Sequence, residues 1–229
     1  MSDDDLDALA LLHDPVRRSL YEAVAGRGGD VGRAEAAEAA GVSRTLAGHH
    51  LDRLVEAGLL ESGFRAPERK GPGSGRPAKV YRRAAGERSV SLPPRDYVVL
   101  GAVLAEVVEE LGAEDEADAA ARRAGERLGR RRAAALRADP GPAPSEPPDD
   151  VVETVLRERG YEPYTEGGGL RMRNCPFHVL SLEQPLLVCS MNLALCRGLL
   201  EGLGDDPGRA RLDPRPGECC VALSKTNGD

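Results

Sequence analysis

Two helical stretches, separated by a glycine and closed off by a serine, restrict this chain's fold more than any other feature. GRAEAAEAAG is a short Ala-rich helix stopped by Gly41, and VSRTLAGHHLDRLVEAGLLE follows at once. Ser43 stands where a side-chain oxygen accepts from the first free amides of a new helix. Leu46, His50, Leu51, Leu54 and Val55 then recur at helical spacing, and Gly58 ends the run. Two short helices joined by a Gly-containing turn, the second capped by Ser, are the outline of a helix-turn-helix. Upstream, HDPVRRSLYEAVAG supplies Asp14 as N-cap and Pro15 at the first helical position, with Leu20 and Val24 on one face. The segment from about Asp4 to Ala85 therefore reads as three helices and a hairpin.

The hairpin is LLESGFRAPERKGPGSGRPAKVYRR, two strand-like pieces around a loop, GPGSGRP, that is too rich in Gly and Pro for either element. From Arg65 to Arg83 seven cations face one carboxylate, Glu68, a local charge of +6 in a chain whose net charge is −7. The distribution outweighs the sum: a basic hairpin directly after a Ser-capped helix is a wing. With Leu46 and His50 inward, the opposite face of the helix carries Ser43, Arg44, Thr45, Gly48, His49, Asp52 and Arg53. Arg44 suits a paired contact to guanine and Thr45 a thymine methyl or a phosphate. A bare Gly48 permits close approach. Arg69, Lys70, Arg76, Lys79 and Arg82 suit phosphate and minor-groove contacts. Four to six such contacts imply a log–log salt slope of about −4 to −5.

At 229 residues two small cores are expected rather than one large one. With two Phe, five Tyr and no Trp, those cores rest on Leu, Val and Ala, which suits helices. SLPPRDYVVLGAVLAEVVEELG places Tyr97, Val98, Leu100, Leu104, Val107, Val108 and Leu111 in a broad apolar stripe. The next stretch, GAEDEADAAARRAGERLGRRRAAALRA, is helical in pattern but mostly polar. An apolar helix with so little beside it in sequence points to a partner helix from a second subunit. DPGPAPSEPPDD is a linker. Beyond it lie a helix ended by Gly160, a hairpin around GGG, a helix from Leu186 to Leu203, and strands at RARLD and CCVAL. The expected fold is mainly α with α+β: a winged helix-turn-helix over 1–88, dimerisation helices over 89–138, a Pro-rich linker over 139–150 and a small α+β cysteine-containing domain over 151–229.

The five cysteines are Cys175, Cys189, Cys196, Cys219 and Cys220, and none forms a CxxC pair. The N-terminus is acidic, without a basic start and apolar run, and no stretch looks long enough to span a bilayer. A cytoplasmic protein with no membrane partner is expected, where thiols stay reduced. The cysteines are then metal ligands, redox thiols or simple core residues. Dispersed sulfurs from a strand end, a helix and a second strand are compatible with a cubane cluster. Zinc, needing four closed ligands, is met equally by Cys175, Cys189 and Cys219 with His178. Cys196, two turns after Cys189 and about 10 Å away, reads as a core thiol.

LLHDPVRRSLYEAV, SRTLAGHHLDRLVEAGLLE and GPGSGRPAKVYRR resemble the winged helix-turn-helix of ArsR/DeoR-like bacterial regulators. NCPFH…LVC…GECCVAL resembles the ligand-bearing domain of SufR-type iron–sulfur regulators. The resemblance covers both ends of the chain. It implies a homodimer on an inverted repeat of double-stranded DNA, acting as a repressor, with DNA affinity controlled by an iron–sulfur cluster, [4Fe-4S] in type. It also implies cluster ligands at Cys175, Cys189 and one of the final pair. Cys219 is preferred beside Gly217; consecutive strand residues point oppositely, and Cys220 is the alternative. His178, Cys220, Cys196 or no residue remains as fourth ligand. The alternative is a winged-helix regulator whose last domain holds zinc or a small organic effector. No base-plus-orienter set, phosphate loop or paired-carboxylate motif supports an enzyme.

Overall fold

The structure, a computed structural model, describes residues 3–65, 77–88, 90–91, 95–138 and 148–225. The chain divides into two compact units, Met1–Arg95 and Asp96–Asp229. The described residues are mainly helical, with two small antiparallel sheets, one in each unit.

In the first unit the acidic leader is itself a helix, α1 (Asp3–Leu11), with Ala8 buried beneath it. The sequence does not reveal this element. Arg88 fixes it, donating to Asp5 Oδ1 at 2.9 Å and to the Ala57 carbonyl at 3.0 Å. The next helix, α2 (Pro15–Ala25), starts as expected: Asp14 Oδ1 accepts from the amides of Val16 and Arg17, and Leu20 and Val24 are buried. A two-residue strand, β1 (Val31–Gly32), leads into α3 (Arg33–Ala39). Gly41 then turns the chain at φ +66°. Ser43 Oγ accepts from the Leu46 amide at 3.3 Å and opens α4 (Arg44–Glu56). The hairpin of β2 (Leu60–Arg65) and β3 (Ala78–Arg83) pairs Leu60 with Arg83 and Arg65 with Ala78, with β1 on the other side of β3. Leu20, Val24, Ala47, Leu51, Leu54 and Tyr81 form the centre of this core.

In the second unit α5 (Tyr97–Leu111) and α6 (Glu114–Ala138) fold with the C-terminal segment. None of α5's residues is buried; Leu100, Leu104 and Leu111 are 53, 56 and 74 % exposed. The polar-looking α6 instead makes the closest helix pair of the unit, along α9 (Pro185–Leu203). Its seam is glycine on both sides. Gly125 and Gly129 on α6 meet Gly198 and Gly202 on α9, and a Cβ at Gly125 would lie 2.8 Å from the Leu199 amide nitrogen. Backbones approach this closely only where side chains are absent. This also corrects the expectation about membranes: α9 is long and apolar enough to cross one. Here its Leu187, Cys196, Leu199 and Leu200 are buried in protein.

The remaining elements follow the sequence reading, with a short α8 (His178–Glu183) added. Helix α7 (Pro148–Glu158) precedes a hairpin of β4 (Pro163–Glu166) and β5 (Gly169–Met172). The hairpin turns on Gly167 and Gly168, both at positive φ, the conformation that a two-residue type I′ turn requires. With β6 (Ala210–Leu212) and β7 (Val221–Leu223) it makes an antiparallel sheet in the order β4-β5-β7-β6. Leu156, Tyr161, Met172, Leu200, Cys219 and Val221 fill the core between sheet and helices.

Candidate functional site

The exposed face of α4 carries Ser43, Arg44, Thr45, His49 and Arg53, as the sequence predicts. Two positions differ. Leu46, expected inward, is 42 % exposed, while Gly48, expected bare on the outer face, is buried. The inward stripe is Ala47, Leu51 and Leu54: Leu51 and Leu54 lie as read, and Ala47 takes the inward place given to Leu46. Arg33 lies across Gly48, and a Cβ there would meet its Nε at 2.9 Å. Gly48 thus admits an arginine of α3, not an approaching ligand.

Among the expected wing cations, Lys79 and Arg82 are described and both are ion-paired. Lys79 Nζ lies 2.7 Å from Asp52 Oδ1 and over the Tyr81 ring; Arg82 pairs with Glu61 at 2.8 Å. Arg69, Lys70 and Arg76 lie outside the described residues. Asp52 also accepts from the Tyr81 hydroxyl at 2.8 Å. Burial raises its pKa, but the Lys79 and Tyr81 donors outweigh that and hold it below the usual carboxylate value. The cluster of Asp52, Lys79, Tyr81 and Arg33 ties α4 to β3 and so fixes the recognition helix against the wing.

The second constellation is sulfur. Cys175 sits in the turn after β5, Cys189 in the second turn of α9, and Cys219 and Cys220 immediately before β7. Folding brings Cys219 and Cys175 to the Asn192 amide, and Cys220 and Cys189 neighbour them closely enough to shift their protonation. The pair precedes β7 (Val221–Leu223), so strand alternation does not choose between Cys219 and Cys220. Cys219, 1 % exposed, is held well below the ordinary thiol value by the Cys175 and Cys220 donors, helped by the Asn192 amide. Sharing with Cys219 pushes the Cys175 and Cys220 thiols up.

Asn192 is the residue that sequence reasoning missed. It is 1 % exposed, with Nδ2 donating to Cys219 Sγ at 3.3 Å and lying 3.9 Å from Cys175 Sγ. Its Oδ1 accepts from the buried Tyr161 hydroxyl at 2.5 Å. The available signal was its place three residues after Cys189, on the same helix face. Cys196 lies on the far side of Asn192, and complete burial pushes its thiol up to about 12; it is a core thiol, as expected. His178 is exposed at the start of α8.

The loop bearing Cys219 and Cys220 is pinned from beneath. Buried Arg171 donates to Glu218 Oε2 at 2.8 Å and to Asp213 Oδ2 at 2.7 Å, and Tyr164 donates to Glu218 at 2.6 Å. Backbone bonds from Cys219 N to Met172 O (2.9 Å) and from Asp213 N to Cys220 O (2.8 Å) complete the anchorage. Among the described residues no group of three or more His, Cys, Asp and Glu side chains is placed to hold a metal ion. Cys175 and Cys219, with the Asn192 amide beside both, are nonetheless the donor type that a soft metal or a cluster takes. An apolar cavity of about 210 Å³ lies nearby, lined by Leu156, Tyr161, Phe177 and Leu199.

Residues 11–63 match a family model described as a helix-turn-helix domain. No curated protein and no solved structure matches the chain. The matched span runs from the end of α1 into β2 and contains the Ser43-capped helix. That domain makes the chain a helix-turn-helix DNA-binding transcriptional regulator.

Proposed function

We propose that the chain is a cytoplasmic, homodimeric winged-helix repressor of the ArsR/SufR type. Its affinity for an inverted repeat in double-stranded DNA is set by a [4Fe-4S] cluster on Cys175, Cys189 and Cys219. It is a binding protein, not an enzyme. The observation that carries the reading is that Cys175, in the turn after β5, and Cys219, in the loop before β7, share the Asn192 amide of α9. When bound, the cluster supplies a bridge among these elements that oxidants break. The chain's own residues do the rest. Arg171, Glu218 and Asp213 hold the loop, Asn192 donates to sulfur, and Arg44 and Thr45 at the start of α4 face outward for base edges. The uncovered apolar side of α5 supports a second copy as its cover.

An organic effector is less well served beside the thiols, where the apolar cavity of about 210 Å³ falls below the roughly 300 Å³ at which ligand pockets begin; the polar cavity of about 360 Å³ lined by Arg171, Arg211 and Arg215 does not. Zinc remains the competing occupant, because a closed set of thiolates suits it equally. Purification without air separates the two. The cluster reading expects a brown protein with about four irons per chain. A colourless protein with one zinc per chain overturns it.

A further inference from the structure

The four-stranded sheet of the second unit has two faces, and one of them is core. Leu170, Met172, Val221 and Leu223 belong to that core, so strand alternation turns Arg171, Arg211 and Ala222 to the opposite face. Arg211 pairs with Ala222, and Leu170, next to Arg171, pairs with Leu223. Ala222 therefore lies between the two arginines, and a small residue between two long ones leaves a hollow. A cavity of about 360 Å³ lies there, within the size range of small-ligand sites.

The wall of this cavity is cationic. Beside Arg171 and Arg211 it carries Arg215 and Lys225, against the carboxylates of Glu166 and Asp213. Counting Glu218, which Arg171 also holds, four cations meet three carboxylates. The cations differ in how far they are already engaged. Arg171 is fully committed, to Glu218 and to both the carboxylate and the carbonyl of Asp213. Arg215 gives one N–H to Glu166 at 2.6 Å. Arg211 comes no nearer to Asp213 than 3.6 Å, too far for a hydrogen bond. Lys225 lies across Gly168, where a Cβ would meet its Nζ at 2.6 Å, and among the described residues no hydrogen bond or ion pair engages it.

Unspent guanidinium and ammonium donors around a hollow call for an anion, since the arginine fork matches carboxylate and phosphate oxygens. The DNA backbone is the rival occupant. Shape and charge disfavour it: the donors converge on a concavity, and Glu166 and Asp213 at its wall would repel a polyanion. We infer that this hollow binds a small organic anion bearing a carboxylate or phosphate group, held by Arg211, Lys225 and the free N–H groups of Arg215 above Arg171. The site is independent of what the thiols hold. It is nonetheless joined to them, because Arg171 also fixes Glu218, the residue before Cys219.

Equilibrium dialysis of the reduced full-length chain against succinate and against glycerol phosphate tests this, at low ionic strength where exposed charges are least screened. One anion per chain is expected, and the tighter probe tells carboxylate from phosphate. Uncharged glycerol should not bind. Arg211→Gln with Lys225→Gln should weaken binding at least about tenfold, the worth of one charge-assisted hydrogen bond. Should that variant fold poorly, the wild-type chain decides alone: phenylglyoxal, followed by mass mapping, should modify Arg211 and Arg215 more slowly with the anion bound. No saturable binding of either probe, equal affinity in the double variant, or one rate of Arg211 modification with and without anion would each overturn the inference. So would a double variant that loses affinity for DNA while the wild type takes up neither probe, since these cations would then be backbone contacts.

Discussion

Gly198→Ala tests whether the glycine seam between α6 and α9 sets the stability of the second unit. A methyl at Gly198 would lie 2.8 Å from the Arg122 carbonyl carbon and 2.9 Å from the Glu126 nitrogen, with the Arg122 oxygen nearer still. Carbon needs about 3.5 Å from such atoms, and backbone cannot swing aside as a side chain can. The helices must therefore part by roughly 1 Å. A gap of that size forfeits about a quarter to a half of each dispersion contact along the seam, and overpacking of this kind costs about 1–3 kcal/mol. Ala in a helix returns about 1 kcal/mol relative to Gly. The expected net loss is about 0–2 kcal/mol, or a Tm lower by up to roughly 8 °C. Gly125→Ala, whose methyl would meet the Leu199 nitrogen at 2.8 Å, should cost a similar amount. The double variant should cost less than the sum by about 1 kcal/mol, since helices already parted have room for the second methyl. Urea unfolding followed by circular dichroism measures all three. A Gly198→Ala chain more stable by about 1 kcal/mol, as propensity alone dictates, would refute the reasoning, as would strict additivity.

Three further outcomes are expected. Tyr164 and Arg171 outweigh burial to hold Glu218 below its usual pKa, and Arg171 does the same for Asp213. Depressed carboxylates contribute stability above their unfolded values, about 4.3 and 3.9, and lose it as pH falls through the folded ones. Melting temperature should therefore drop steeply below about pH 5 in the wild type and more gently in Arg171→Leu; parallel curves contradict the anchorage. Leu100→Asp with Leu104→Asp on the exposed side of α5 should turn a dimer into a monomer in sedimentation with its helix content intact, and a persisting dimer removes α5 from the interface. Ser43→Ala removes the bond to the Leu46 amide and should cost about 1 kcal/mol in chemical unfolding, whereas a neutral change would deny the cap its role.

Much of this fold was legible because its signals are local. Asp14 and Ser43 cap helices through bonds that span two or three residues, and the paired glycines at 167 and 168 announce their turn. Where partners are distant, reading failed in specific ways. Helix α6 looked too polar to pack because its seam consists of Gly125 and Gly129, which hydrophobic periodicity does not count. In helix α4 Leu51 and Leu54 lie inward as read, but Ala47 stands in for Leu46, since nothing near it in sequence shows that the smaller side chain lies inward. Gly48 looked open to DNA because Arg33, which covers it, belongs to another helix. The cysteines were visible and their gathering was not. Cys219 and Cys220 precede β7, so strand alternation could not choose between them, and the buried pair Asn192 and Tyr161 left no mark beyond helical spacing.

The central claim is that the gathered thiols govern the grip on DNA. Its most direct test is the dissociation constant for an inverted-repeat operator, measured at one salt concentration on a single oxygen-free preparation before and after the cluster is removed, with Cys175→Ser alongside. The account predicts at least a tenfold difference between the two forms, about 1.4 kcal/mol of coupling, and no difference in Cys175→Ser. Equal affinities before and after removal contradict it.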